Sequence, residues 1–101
     1  MVRRLKQVWQ SGMGEDRVTA FEAEGMGAED FPFFTTDPEI TSVYFSVGGT
    51  DADYITAAKN GTGPAVPSHH SPIFKIEPQP AVTAGIQATV LALLDLMPTS
   101  K

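Results

Sequence analysis

Apolar residues recur at helical spacing in Leu5, Val8 and Trp9, with Arg3, Arg4, Lys6 and Gln7 between them, which predicts a short amphipathic helix near the start of the chain. Gly12 and Gly14 supply its stop. The period then changes. Val18-Thr19-Ala20-Phe21, within Arg17 to Ala23, reads as a short strand; Ser42 to Val47, nearly continuous in β-branched and aromatic residues, reads as a strand covered on both faces and ended by Gly48-Gly49. Between these runs, Gly25 and Gly27 break the chain before Glu29-Asp30-Phe31. There two carboxylates meet the positive end of a short helix, and Pro32 suits its first turn. From Thr50 to Pro67 no period is sustained, and the Gly, Asp, Ala and Pro content predicts one long loop. It leads into Ser68-His69-His70-Ser71-Pro72 and then Ile73 to Ile76, a second short strand.

Pro80 presets the first turn of a last helix and Pro98 ends it. Ile86, Val90, Leu93, Leu94 and Met97 form the main stripe of that helix, with Val82 beside them. Ala84, Ala88 and Ala92 make the opposite face, where Asp95 is the only charge. A helix apolar or small nearly all round belongs deep in a larger body, and its small face lets a second element approach closely. Together these elements predict an α/β fold: a small sheet with an amphipathic N-terminal helix and a long apolar C-terminal helix.

Length bounds the chain to one domain at most, since 101 residues fill a single core. Seven Lys and Arg against twelve Asp and Glu give a net charge of -5, which repels phosphate backbones and anionic lipid and argues against nucleic acid and membrane partners. The stretch from Glu15 to Asp53 holds ten acids against Arg17 alone, either a solvated acidic surface or the surroundings of a cation. With no cysteine, neither a disulfide nor a thiolate nucleophile can be built, and the cytoplasm is the default compartment. Met1 to Lys6 has the positive end of a signal peptide but no apolar region behind it. The apolar run Val82 to Met97 is about a turn short of the roughly 20 residues that cross a bilayer.

Few residues could carry chemistry. The two histidines are adjacent, His69-His70, and on an extended segment their side chains diverge, so at most one faces a given metal. They are either a surface or capping pair, or a pair containing one metal ligand. Glu29 and Asp30 either provide helix N-terminal charge or line a polar pocket. Gly48-Gly49-Thr50-Asp51 reads as a plain turn before it reads as an anion-binding nest. The chain has no G-x-S-x-G elbow, no Walker loop and no H-E-x-x-H helix.

Order adds to this. Met26-Gly27-Ala28-Glu29-Asp30-Phe31, then Val43-Tyr44-Phe45-Ser46-Val47-Gly48, then His70-Ser71-Pro72-Ile73-Phe74 and an Ala-rich last helix from Ala81 resemble the C-terminal end of metal-dependent amidohydrolases. The family is that of hippurate hydrolase, N-acyl-amino-acid amidohydrolase and indole-acetyl-amino-acid hydrolase, in the clan of carboxypeptidase-G-like metallopeptidases. The resemblance covers about Val18 to Met97. It implies that His70, in the family's H-x-P position, is one ligand of a two-metal centre of manganese or zinc. It also implies that Glu29, Asp30 and Phe31 help shape the substrate pocket. His69 stands where the family has an apolar residue, and Gly-Gly-Thr-Asp follows the strand where the family has a Leu-Gly turn.

On this resemblance, residues 1–101 are the C-terminal segment of a metallopeptidase-type catalytic domain. The remaining ligands, the general-base glutamate and the inserted lid or dimerisation domain then lie outside it. The substrate of the whole hydrolase is a small amide such as an N-acyl amino acid, and the segment alone is expected to be inactive. A non-catalytic alternative is an interaction module that associates, with itself or a partner, through the uncovered face of its last helix.

Overall fold

A computed structural model describes residues 1–19 and 30–97. Three α-helices make up the regular structure: α1, Val2–Met13; α2, Ala52–Lys59; and α3, Pro78–Leu96, with short 3-10 turns at Glu15–Arg17 and Phe31–Thr35. Among the described residues there is no strand, so the expected α/β fold with a small sheet is corrected to an all-helical one. The physical reason is the missing partner. Ser42 to Val47 and Ile73 to Ile76 have strand composition, but a strand exists only through ladder hydrogen bonds to a neighbour, and composition alone does not supply one. Val18 and Thr19 likewise form no ladder with any described residue, and Ala20 to Ala23 lie outside the described residues.

The chain divides into two units, Met1–Ser46 with Gln87–Lys101, and Val47–Ile86. In the first, α1 packs on the C-terminal half of α3. The core consists of Leu5, Trp9, Ala88 and Ala92, with Met13, Val18, Val43 and Leu91 packed around it. The small face of α3 is therefore the buried one. Alanines 88 and 92 let α1 come close enough for Trp9 Nε1 to donate to the Ala88 carbonyl at 2.8 Å. At Gly12 a β-carbon would stand 2.6 Å from Leu91 Cδ1, so the absent side chain permits the approach. The helix accordingly runs through Gly12 and ends at Gly14, whose φ of 103° lies in a region open chiefly to glycine. Although it forms no ladder, the extended segment keeps a strand's alternation. Val43 packs on the core and the Phe45 ring lies 4.9 Å from that of Trp9, while Tyr44 pairs with Phe31 at 5.2 Å.

Charge supports the same helix pair. Basic Arg3 and Arg4 sit at the positive end of α1 and Asp95 at the negative end of α3, each unfavourable with its own helix dipole. Bringing them together offsets part of both. Arg4 donates to the Asp95 carbonyl at 2.8 Å, satisfying one of the last α3 carbonyls, and Arg4 Nε lies 2.7 Å from Asp95 Oδ2. The latter is a charge contact rather than an aligned hydrogen bond.

The second unit contains no fully buried residue among those described. Its order comes from hydrogen bonds. Helix α2 occupies the stretch expected to be loop, because the Asp51 side chain accepts from the backbone N–H groups of Asp53 and Tyr54 and caps it. Tyr54 Oη donates to the Ala65 carbonyl at 3.3 Å, and Glu77 N–H to the Gly49 carbonyl at 2.7 Å. Helix α3 begins at Pro78, two residues before the Pro80 start that the pattern predicts. Two prolines fit in its first turn because N–H groups there have no helical acceptor to lose.

No helix among the described residues is long and apolar enough to cross a membrane.

Candidate functional site

The histidine pair lies on a chain reversal fixed by its serines. Ser71 N–H donates to the Ser68 carbonyl at 2.9 Å, and Phe74 N–H donates to the Ser71 carbonyl at 3.0 Å, so two turns share Ser71. The Ser71 hydroxyl oxygen also accepts from Ile73 N–H at 3.3 Å, an ST-type contact across Pro72. Both imidazoles are exposed. The His69 ring lies edge-on to Phe74, with centroids 5.2 Å apart and planes at 81°.

The other expected residues belong to the first unit. Asp30 precedes the Phe31–Thr35 turn and its carbonyl accepts from Phe33 N–H at 3.0 Å, with Pro32 inside the turn as anticipated. The Asp30 carboxylate is exposed and forms no cap hydrogen bond, while Phe31 is half-buried against Tyr44. Glu29 lies outside the described residues. Asp30 and Phe31 are thus brought together by sequence adjacency, whereas His70 is held in the second unit. Among the described residues no three His, Cys, Asp or Glu side chains converge as a metal-binding group. In donor chemistry, His70 can fill one coordination position of manganese or zinc, since an exposed imidazole nitrogen is a common ligand for either.

Two features escaped the sequence reading. Asp51 serves α2 as its N-cap, and Gly49 lets the chain pass against Ile76, where a β-carbon would meet Ile76 Cγ2 at 2.8 Å; Gly48-Gly49-Thr50-Asp51 is a helix entry. The other is an open groove of about 550 Å³ on the α1–α3 pair, lined by Arg4, Gln7, Val8, Ser11, Gly12, Leu91 and Asp95. Its one carboxylate is already matched by Arg4, and no histidine lines it to activate the Ser11 hydroxyl. Only the basic residue at a helix start hinted at it in the sequence. No family model, curated protein or solved structure matches the chain.

Proposed function

We propose that the chain supplies one histidine ligand, His70, to the two-metal centre of an amidohydrolase that cleaves N-acyl amino acids or a related amide. The remaining ligands come from outside these 101 residues. The observation that carries this reading is the ordered series from Met26-Gly27-Ala28-Glu29-Asp30-Phe31 to His70-Ser71-Pro72, with His70 exposed on a turn held by Ser68 and Ser71. The uncovered stripe of α3 supports it. Val82, Ile86, Val90, Leu93, Leu94 and Met97 are all exposed, as expected of a helix belonging to a larger body.

His70 would hold one metal through an imidazole nitrogen. A bound metal pair supplies activation of water and polarisation of the amide carbonyl. Phe31, seated on Tyr44, and Asp30 would line the substrate side with Glu29. Because a catalytic metal needs three or more protein ligands, the chain by itself is inactive in this reading.

The test is complementation. An N-acyl-amino-acid amidohydrolase truncated before its M-G-x-E-D-F element is co-expressed with this chain, and hippurate hydrolysis is followed with manganese. Restored hydrolysis that requires His70 supports the proposal. Hydrolysis by the 101-residue chain alone, or restoration that is indifferent to His70→Ala, overturns it. A second reading, association through α3 without catalysis, is favoured by the same exposed stripe and predicts a concentration-dependent oligomer.

A further inference from the structure

Asn60 is the only asparagine of the chain, and a glycine follows it. Together they end α2. Asn60 is the helix C-cap, its N–H donating to the Thr56 carbonyl at 3.0 Å, and Gly61 turns the chain away with a φ of 69°. Both residues are exposed, and nothing lies within 4 Å of the point where a Gly61 β-carbon would stand. No side chain therefore shields the Gly61 backbone nitrogen from the amide carbon of Asn60, and the bond between the two would close a five-membered ring.

We propose that Asn60 is a site of self-modification: the Gly61 nitrogen closes on its side chain to a succinimide, which water opens to aspartate and isoaspartate, at a rate set by opening of the C-terminal end of α2. Solvent base takes the Gly61 N–H proton, the nitrogen bonds to Asn60 Cγ, and the Cγ–Nδ2 bond breaks, the amide leaving as ammonia with a proton from solvent. One water then adds to the imide. Cleavage at Cγ leaves aspartate in an ordinary backbone; cleavage at the main-chain carbonyl carbon leaves isoaspartate, with the chain running through Cγ. In sum one water is consumed and one ammonia released, with no change of oxidation state. Neither step involves His70.

The folded helix end holds this chemistry back. Ring closure needs rotation about the Asn60 Cα–C bond away from the αR value of ψ, −3°, and release of the Gly61 N–H from the Ala58 carbonyl, to which it donates at 3.2 Å. The next two N–H groups, of Thr62 and Gly63, donate to the Ala57 carbonyl at 2.9 and 3.1 Å and hold the same turn closed. Opening is nonetheless cheap, because α2 has only eight residues and belongs to a unit with no fully buried residue among those described. The Asp51 cap at its other end is one of the few contacts that hold it. The product does not restore the turn. Its new carboxylate adds to a net charge of -5 at the negative end of the helix, and isoaspartate lengthens the backbone there by a methylene. Conversion thus loosens α2 irreversibly as the protein ages.

The whole chain is incubated at pH 8 in heavy-oxygen water, folded and in urea, and Asn60 is followed by peptide mapping with mass spectrometry that separates aspartate from isoaspartate. Amide-to-acid conversion is expected at Asn60 with isoaspartate among the products, slower in the folded chain than in urea, and absent at this position in Asn60→Gln, where the longer side chain would need a six-membered ring. Asp51→Ala, which uncaps α2 nine residues away, is expected to speed conversion in the folded chain by up to about fivefold and to leave the rate in urea unchanged. A folded chain whose Asn60 stays intact while the urea sample converts completely overturns the site. Aspartate without isoaspartate overturns the succinimide route. Equal rates in the folded and urea samples, or a folded rate indifferent to Asp51→Ala, overturn control by α2.

Discussion

Trp9 is the residue on which the helix pair depends most. It is 8% exposed, and among the described residues only Leu5 besides it contributes a large buried side chain, with Ala88 and Ala92 completing the core. Burial of about 200 Å² of indole at roughly 25 cal/mol per Å² amounts to about 5 kcal/mol, and large-to-small core substitutions of Trp cost about 3–5 kcal/mol. Trp9→Ala should therefore cost about 3–5 kcal/mol, a large part of what a chain of this size has, and release α1 from α3. Trp9→Phe separates the contributions. It keeps a ring to pair with Phe45 but loses the hydrogen bond to the Ala88 carbonyl, worth about 0.5–1.5 kcal/mol, and part of the ring volume, for a total of about 1–2 kcal/mol. Urea unfolding followed by circular dichroism at 222 nm measures both. A loss below about 1 kcal/mol for Trp9→Ala would refute the assignment of stability to this core.

Three further outcomes follow from local geometry. Gly14→Ala should destabilise α1 by about 1–3 kcal/mol, because an L-residue is strained at φ 103° and the new β-carbon would stand 2.8 Å from Asp16 Oδ1; thermal unfolding checks it. Asp51→Ala removes the acceptor for two N–H groups of a helix only eight residues long, at a cost of about 1 kcal/mol, and should speed amide hydrogen exchange across Ala52–Lys59 while leaving α1 unchanged. Leu94 and Met97 are 65% and 70% exposed on the apolar stripe of α3, so Leu94→Lys with Met97→Lys should lower any self-association seen by sedimentation velocity without loss of helix content; an unchanged oligomer would place association elsewhere.

The two long helices were legible because their signals are local. The 3.6-residue period of Leu5, Val8 and Trp9, the glycine stop, and prolines ahead of α3 each act within a turn or two. Which face of α3 is buried was half legible. Its alanines signalled a close neighbour, and Trp9 is that neighbour, but the larger Ile86, Val90 and Leu93 looked like the core stripe and are exposed. The sheet was misread because β composition describes a surface that suits pairing and says nothing about whether a partner strand is present; Val43 and Phe45 use the same alternation to pack on a helix pair. Helix α2 was missed because its weak apolar period is masked by flanking glycines, although Asp51 before Ala52-Asp53-Tyr54 carried the N-cap signature. At the candidate site, the histidine pair was readable in the sequence, but the extended segment expected to carry it is a turn. The edge-on contact of His69 with Phe74 was not readable, since it arises from two turns that share one serine.

The central claim is that His70 is a ligand in a centre completed by residues outside this chain. The most direct measurement is the metal content of the complex between this chain and the truncated amidohydrolase, purified by affinity capture and compared with its His70→Ala counterpart at matched free manganese. Loss of this ligand should weaken retention of one metal by about 10- to 100-fold or more, abolishing hippurate hydrolysis while the complex still assembles. Full metal content and hydrolysis in the His70→Ala complex would contradict it.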